Sequence, residues 1–303
     1  MCLGQGDVEP LVAAVLGVGY LPIPGRSAGG AAGVWSWHRN WFAVAAALTH
    51  SRFVTTGRGL AAAERDRLER DGYLLVPSLL EASALGKLRV RLAVLVAREV
   101  TVGRADYGNP GTVEAGVVHA QLDPADPGFR PLYDHLLLSD AATAVLGDPW
   151  HICGLGLRAP LPGCGHQGLH PDFQHRRTGG PWQTLSAMWC ITAFTADNGP
   201  LRVIPCSHRA SGNPVDVLAL GCEMGPHPDE VKIVAPAGSV ILFNSADLWH
   251  SGTFNYSTQP RLAVTAGFAP GGGSPRLPSN SLAEARQRNA DEPVTPGRTP
   301  SSP

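Results

Sequence analysis

The half of the chain that follows Trp150 is a series of short, β-rich apolar segments, and this series constrains the fold more than any other feature. "HICGLGLRA" alternates loosely, and "TLSAMWCITAF", "LRVIP", "VKIVAP", "SVILFN" and "RLAVTAGFA" follow it, separated by Gly, Pro, Asn and Asp residues typical of turns. Before them, residues 61–70, 78–100 and 132–146 have apolar side chains at helical spacing or clear helix-ending signals, and "YLLVP" between the first two is predicted as a strand that stops at Pro77. A helical block followed by many short strands predicts a mainly β fold, either a β-sandwich or a jelly roll, with helices on one side.

Composition changes at both ends of this region. Residues 1–58 are rich in Gly, Ala and Trp without a sustained period of 3.6 or 2, which indicates a poorly structured extension. Residues 271–303 contain "GGGSP" and "VTPGRTPSSP" and few large apolar side chains, so burial cannot offset their ordering entropy and we predict a disordered tail. The folded domain is therefore predicted over residues 59–270.

Charge and cysteine content narrow the class of partner. Charged residues make up 16% of the chain and the net charge is −1, so no basic field attracts nucleic acid or an anionic membrane. The only charged residues before the apolar stretch over residues 11–23 are Asp7 and Glu9, so the stretch lacks the basic start of a signal peptide, and the six cysteines form no C-x-x-C pair. We expect a cytoplasmic protein, a monomer or homodimer, that acts on a small molecule.

A pattern of metal-ligating residues is found around "QGLHPDFQH". His170 and Asp172 are two residues apart, and on an extended backbone such residues point to the same side. His250 follows the apolar segment "SVILFN". Two histidines and one carboxylate form the facial triad of non-haem iron oxygenases, which leaves coordination positions open for a chelating keto acid and O₂.

A lone H-x-D motif is weak evidence, because His170 also suits a turn and His250 suits a protein core. Arg261, eleven residues after His250, makes the combination more specific. Its guanidinium matches a carboxylate in a bidentate manner, although a surface charge on an edge strand is the commoner role of a single arginine. Arg158 and Arg202 are the other strand-borne arginines that suit this role.

Four segments together resemble the phytanoyl-CoA dioxygenase family, which includes ectoine hydroxylase. They are "LERDGYLLVPSLL", "HPDF", "DNGPLRVIPCSHR" with Cys206 where glycine is usual, and "AGSVILFNSADLWHSG" with the arginine that follows it. The resemblance covers residues 61–270, the whole predicted domain. It implies a double-stranded β-helix, the jelly roll also found in cupins, with Fe(II) held at one open end by His170, Asp172 and His250.

The same resemblance implies a site for the co-substrate 2-oxoglutarate. Arg261 pairs with its distal carboxylate, and Trp189 matches a position that lines the co-substrate pocket in some members. Gly252 replaces a serine that often contacts the same carboxylate, and either Ser251 or Thr265 is a possible substitute for it.

These features predict a dioxygenase that uses Fe(II), 2-oxoglutarate and O₂ to hydroxylate or otherwise oxidise an unactivated C–H bond. Related halogenases have Gly or Ala in place of the carboxylate ligand, so Asp172 disfavours that subclass. Two alternatives remain: a cupin-type hydrolase or isomerase with another metal, and a jelly-roll binding protein without activity. Desaturation, epimerisation and ring formation are open as well.

The identity of the substrate is not fixed by the sequence. The pocket is predicted from the helical block and the loops over residues 104–127 and 164–182. The phosphates of a CoA substrate call for a cluster of Lys and Arg, and the chain has only two lysines, Lys87 and Lys232, although arginine is plentiful. A small metabolite or a natural-product intermediate is therefore favoured.

Overall fold

The computed structural model describes residues 57–101, 116–173, 180–219 and 221–271. The predicted extension and tail lie outside these residues, except for positions 57, 58 and 271, and parts of both predicted pocket loops lie outside them too. Among the residues that the structure describes, no helix has both the length and the apolar character needed to cross a membrane.

Three of the α-helices lie close to their predicted positions, and a fourth, a single turn, was not predicted. In the described ranges they are α1 (Ala62–Asp71), α2 (Ala82–Thr101), α3 (Leu136–Leu146) and the single turn α4 (Pro214–Val217). Short 3₁₀ helices cover Pro127–Leu132 and Ser207–Arg209. α1 ends at Gly72, whose φ of 80° is in the left-handed region that glycine adopts without strain. The chain leaves the helix there and enters the first strand.

The strands include all the predicted segments and two short ones that the sequence did not reveal. They are β1 (Tyr73–Val76), β2 (Val117–Gln121), β3 (Trp150–Pro160), β4 (Leu185–Cys190), β5 (Leu201–Val203), β6 (Val231–Lys232), β7 (Val240–Phe243), β8 (His250–Gly252) and β9 (Ala263–Pro270). The unpredicted strands are β2, at an edge of its sheet, and β8, which begins at a candidate metal ligand.

Two antiparallel sheets form the architecture. The large sheet has the order β1-β7-β4-β9-β3-β2, and the small sheet has the order β6-β5-β8. An apolar cluster between them joins Met188 and Ile241 of the large sheet to Leu201 and Val203 of the small one. A larger apolar cluster lies between the opposite face of the large sheet and helices α1 to α3. This is the predicted jelly roll with helices on one side, and the fold class is confirmed.

Candidate metal and co-substrate site

The segment that contains the H-x-D motif pairs with β8 as an additional antiparallel edge. The His170 amide donates to the His250 carbonyl at 3.1 Å, and the His250 amide donates to the His170 carbonyl at 3.0 Å. Two residues later, the Asp172 amide donates to the Ser245 carbonyl at 2.8 Å, in the turn after β7. These backbone bonds fix the motif against both the small sheet and the end of β7, and so they bring the three predicted ligands together.

The three side chains converge on one point. Oδ1 of Asp172 lies 3.9 Å from Nε2 of His170 and 3.6 Å from Nε2 of His250. One ligand atom from each residue lies within 4.8 Å of the other two. His250 is nearly buried, whereas the side chains of His170 and Asp172 are 39% and 30% exposed. One side of the cluster is therefore enclosed by protein and the other is open to incoming molecules.

Hydrogen bonds orient both imidazole rings in the same way. Nδ1 of His170 lies 2.7 Å from the Gly168 carbonyl, and Nδ1 of His250 lies 2.8 Å from the Leu248 carbonyl. Because a carbonyl only accepts, each Nδ1 donates a proton to its carbonyl, and each Nε2 faces the Asp172 carboxylate. Burial lowers the pKa of His250 to about 4, so its ring is neutral at pH 7. Two imidazoles and a carboxylate fit a divalent iron ion.

Arg261 is buried, not exposed on an edge strand, and this removes the simpler interpretation of it. It lies before β9 and is 2% exposed, with its amide donating to the Pro160 carbonyl. Its guanidinium carbon lies 4.3 Å from the centre of the Phe194 ring. Within the described ranges, Nε and Nη1 have no hydrogen-bond partner.

Among the described residues, no anion compensates the charge of this guanidinium. Burial first, and then the positive charge of Arg158, lower the pKa of Arg261 to about 9. The Cys190 thiol opposes this shift, but burial raises the pKa of Cys190 itself to about 12, so it is neutral at pH 7. A buried cation with open donors is suited to an anionic ligand such as a carboxylate.

Trp189 lies on the face of β4 that is remote from Arg261. It belongs to the cluster against the helices, and its Nε1–H donates to the Leu132 carbonyl at 2.8 Å. Its neighbours Met188 and Cys190 face the space between the sheets, because successive side chains of a strand alternate. The structure therefore does not support the prediction that Trp189 lines the co-substrate pocket.

Gly252 occupies a position where a serine side chain does not fit. A Cβ atom there would lie 2.9 Å from the Gly165 carbonyl oxygen and 3.3 Å from Oε1 of Gln167. Instead, the Gly252 amide donates to that Oε1 at 3.1 Å. The glycine is thus required by the close approach of the loop before His170, and its predicted contact with the co-substrate has no side chain to make it.

The two proposed substitutes for the missing serine differ in orientation. Ser251 is fully buried and its hydroxyl accepts a hydrogen bond from Arg202, on the outer face of the small sheet. Thr265 pairs with Met188 across β4 and β9, on the face that looks between the sheets. Of these two residues, only Thr265 lies on the face of the large sheet that Met188 occupies, toward the small sheet.

Two features of the site were not apparent in the sequence. Phe194 supports the Arg261 guanidinium, but it comes from the segment after β4 and nothing in its local pattern signals this contact. Cys206 stands where the phytanoyl-CoA dioxygenase motif usually has glycine, and it adopts a φ of 64°, in the region that favours glycine. The backbone conformation of that turn is therefore kept although the residue differs.

Comparison with known proteins agrees with this geometry. The family model described as phytanoyl-CoA dioxygenase (PhyH) matches residues 68–263. The chain belongs to this family. The predicted enzyme class, an iron- and 2-oxoglutarate-dependent dioxygenase, is confirmed at the level of the family.

Individual relatives are more distant. The dioxygenase trt7 of Aspergillus terreus is 26% identical over 67% of this chain and 71% of its own length. The ectoine dioxygenase of Halomonas elongata is 31% identical over 50% of this chain and 46% of its own length. The crystal structure of HygX from Streptomyces hygroscopicus, with nickel, 2-oxoglutarate and hygromycin B bound, is 18% identical with a TM-score of 0.55, over 70% of this chain and 88% of that one. At this identity, HygX shows the shared fold alone.

Proposed function

We propose that the protein uses Fe(II), 2-oxoglutarate and O₂ to oxidise an unactivated C–H bond of a small metabolite or natural-product intermediate, with release of succinate and CO₂. The observation that carries this proposal is the pairing of two elements in one jelly roll. One is the open His-Asp-His cluster, and the other is a buried arginine with hydrogen-bond donors left over.

Each of these residues has a distinct role in the proposal. His170, Asp172 and His250 hold the iron, and the enclosed side of the cluster keeps their rings in place while the open side admits ligands. Arg261 holds the distal carboxylate of 2-oxoglutarate, and the Phe194 ring supports its guanidinium. Iron bound there would supply oxidation by O₂ coupled to decarboxylation of the keto acid.

The substrate class is inferred from relatives and from charge. One relative is named for ectoine, a small metabolite, and the HygX structure contains the natural product hygromycin B. The chain itself has a net charge of −1, so its overall charge gives no support for a nucleic-acid substrate. A single copy or a homodimer in the cytoplasm stays our prediction.

The alternative of another metalloenzyme on this fold is disfavoured by one residue. Imidazole and carboxylate ligands suit several metals, so the triad does not choose among them. A cupin-type isomerase or hydrolase has no use for a buried guanidinium held ready for a carboxylate. Arg261, with its unpartnered Nε and Nη1 among the described groups, therefore favours the keto-acid-dependent reaction.

An anaerobic titration tests the proposed function. Adding Fe(II) and then 2-oxoglutarate to the metal-free protein is expected to give a weak visible charge-transfer band, which develops only when both are present. Succinate released per turnover and the gain of one oxygen atom by a candidate substrate, measured by mass spectrometry, would then follow the reaction. A protein that binds Fe(II) but gives neither the band nor succinate is not this kind of enzyme.

Asp172 provides a separate prediction. Asp172→Ala is expected to abolish hydroxylation and to weaken Fe(II) binding, because the only carboxylate of the described cluster is lost. Asp172→Asn is the matched variant, since it keeps the size of the side chain and removes the charge. Succinate formation and Fe(II) affinity are measured for both. Full hydroxylation by Asp172→Ala would mean that another carboxylate binds the metal.

A further inference from the structure

Arg202 is a buried arginine on the central strand of the small sheet. Its neighbours Leu201 and Val203 pack between the two sheets, so its own side chain points to the outer face. It is 2% exposed, and its guanidinium has a hydrogen-bond acceptor for every one of its five N–H donors. The acceptors are Oγ of Ser251 at 2.6 Å, the Gly225, Gln167 and Glu223 carbonyls at 2.6, 3.2 and 2.9 Å, and a carboxylate oxygen of Glu230 at 3.1 Å.

This saturation separates Arg202 from Arg261. Arg202 has no donor left for a co-substrate carboxylate, so it is not the alternative clamp that the sequence allowed. Its charge is already balanced by Glu230, which also accepts the His227 amide. The role of Arg202 therefore has to be found in the segments that it joins.

Two of its acceptors lie next to predicted metal ligands. Ser251 follows His250 directly on β8, and Gln167 is three residues before His170. The amide of Gln167 also donates to the Gly252 carbonyl at 3.0 Å, and its side chain accepts from the Gly252 amide. One guanidinium thus spans the strand that contains one histidine ligand and the loop that contains the other.

The loop before His170 is held by contacts with its neighbours and not by regular secondary structure. Residues 164–169 form no helix or strand, and the pairing with β8 at His170 is an isolated bridge. A second loop packs on the first: the Leu169 amide donates to the Glu223 carbonyl, and Nε2 of His166 lies 2.8 Å from the Met224 carbonyl. Arg202 contacts that second loop as well, through the carbonyls of Glu223 and Gly225.

We propose that Arg202 is a positioning residue for the metal site, which holds the loop of His170 and the strand of His250 at the separation that iron binding requires. The inference rests on the proposed function, because it takes both histidines as iron ligands. A planar fork with fixed donor directions sets the distance between the two segments more rigidly than a flexible ammonium group. Residues that orient metal ligands typically change metal affinity by about 10- to 100-fold when they are replaced.

Three variants test the proposal. Each is prepared folded and without metal, and its affinity for Fe(II) is measured by titration under anaerobic conditions. Arg202→Met is expected to lower the affinity by about 10- to 100-fold and to change the charge-transfer band formed with 2-oxoglutarate. Arg202→Lys should lie between it and the wild type, because it keeps the charge near Glu230 but not the fork. Ser251→Ala removes the acceptor on β8 alone and should lower the affinity by a smaller factor.

The control is Arg130→Met. Arg130 pairs with Asp134 in the helical layer, on the other side of the large sheet, so Fe(II) affinity should equal that of the wild type. Circular dichroism and thermal unfolding of the metal-free variants show which of them are folded at the titration temperature. Should Arg202→Met fail to fold, Arg202→Lys and Ser251→Ala decide the question by the same measurement.

Two outcomes would overturn the proposal. If the folded variants bind Fe(II) within about twofold of the wild type and give the same band, Arg202 stabilises the fold without positioning the ligands, even where the melting temperature falls. If His170→Ala keeps wild-type Fe(II) affinity, the ligand assignment is wrong, and Arg202 then has no metal ligands to position. If His170→Ala loses Fe(II) affinity while the Arg202 variants keep it, the ligand assignment stands and only the positioning role of Arg202 is wrong.

Discussion

Replacing His170 or His250 with alanine is expected to abolish turnover and to lower Fe(II) affinity by more than about 100-fold, since residues that only orient ligands already account for about 10- to 100-fold. Each substitution removes one of three converging ligand atoms. The fold should persist, because the hydrogen bonds between these two residues are made by their backbone atoms, which alanine retains. Fe(II) titration, succinate release and circular dichroism measure the three effects separately.

His151→Ala is the matched control for these two variants. His151 lies on β3, where it pairs with Ala269, and it takes no part in the His-Asp-His cluster. Its replacement should leave Fe(II) affinity and succinate release unchanged. Wild-type activity of purified His170→Ala or His250→Ala would show that the metal is held elsewhere.

Two members of the candidate cluster, His170 and Asp172, could be placed together because their relation is local. An imidazole and a carboxylate at i and i+2 share one side of an extended segment, and that relation needs no knowledge of the rest of the chain. The depth of Arg261 was not accessible in the same way. Whether an arginine lies at a surface or against Phe194 depends on how the turn after β4 packs, which the sequence near Arg261 does not reveal.

The position of Trp189 shows a second limit. All six residues of β4 are buried, so the strand has no polar side that distinguishes its two faces. Alternation separates Trp189 from Met188 and Cys190, but it does not say which set faces the metal. That information comes from the neighbouring layers, the helices on one face and the small sheet on the other.

The strands were predictable where a long apolar segment is bounded by turn residues. β3, β7 and β9 meet this condition, and the structure has strands at each of them. β8 has three residues, and its strand geometry depends on pairing with β5, far away in the sequence. The network around Arg202 is hidden for a related reason, since three of its five acceptors are backbone carbonyls, which any residue type supplies.

Arg261→Ala is expected to weaken 2-oxoglutarate binding by about 10- to 140-fold. The estimate takes the loss of one charge-assisted hydrogen bond, about 1.5–3 kcal/mol, and converts it at about 1.4 kcal/mol per tenfold. The guanidinium is buried and has unpartnered donors among the described residues, so the bound carboxylate would be its partner. Arg261→Lys should give an intermediate affinity, because one ammonium group does not reproduce the fork.

Arg89→Ala separates this effect from general loosening of the same region. Arg89 is a partly buried arginine whose Nε and Nη2 both donate to the Ile191 carbonyl, beside the segment that supports Arg261. Its loss should lower the melting temperature and leave the apparent Kd for 2-oxoglutarate within about twofold of the wild type, since its donors are already occupied. The apparent Kd for 2-oxoglutarate is measured for Arg89→Ala and Arg261→Ala from the charge-transfer band, under anaerobic conditions at one Fe(II) concentration.

Opposite patterns are therefore predicted for the two arginines. Arg89 donates to a protein carbonyl, whereas Nε and Nη1 of Arg261 have no hydrogen-bond partner among the described residues. Arg261→Ala should lose co-substrate affinity with little loss of stability, since removal of a buried cation without an anion leaves no partner unsatisfied. Should 2-oxoglutarate still support turnover in Arg261→Ala with an unchanged Kd, the clamp must be another cation. Arg158, which pairs with Ala263 across β3 and β9 and whose charge lowers the pKa of both Arg261 and His250, is the cation to test next.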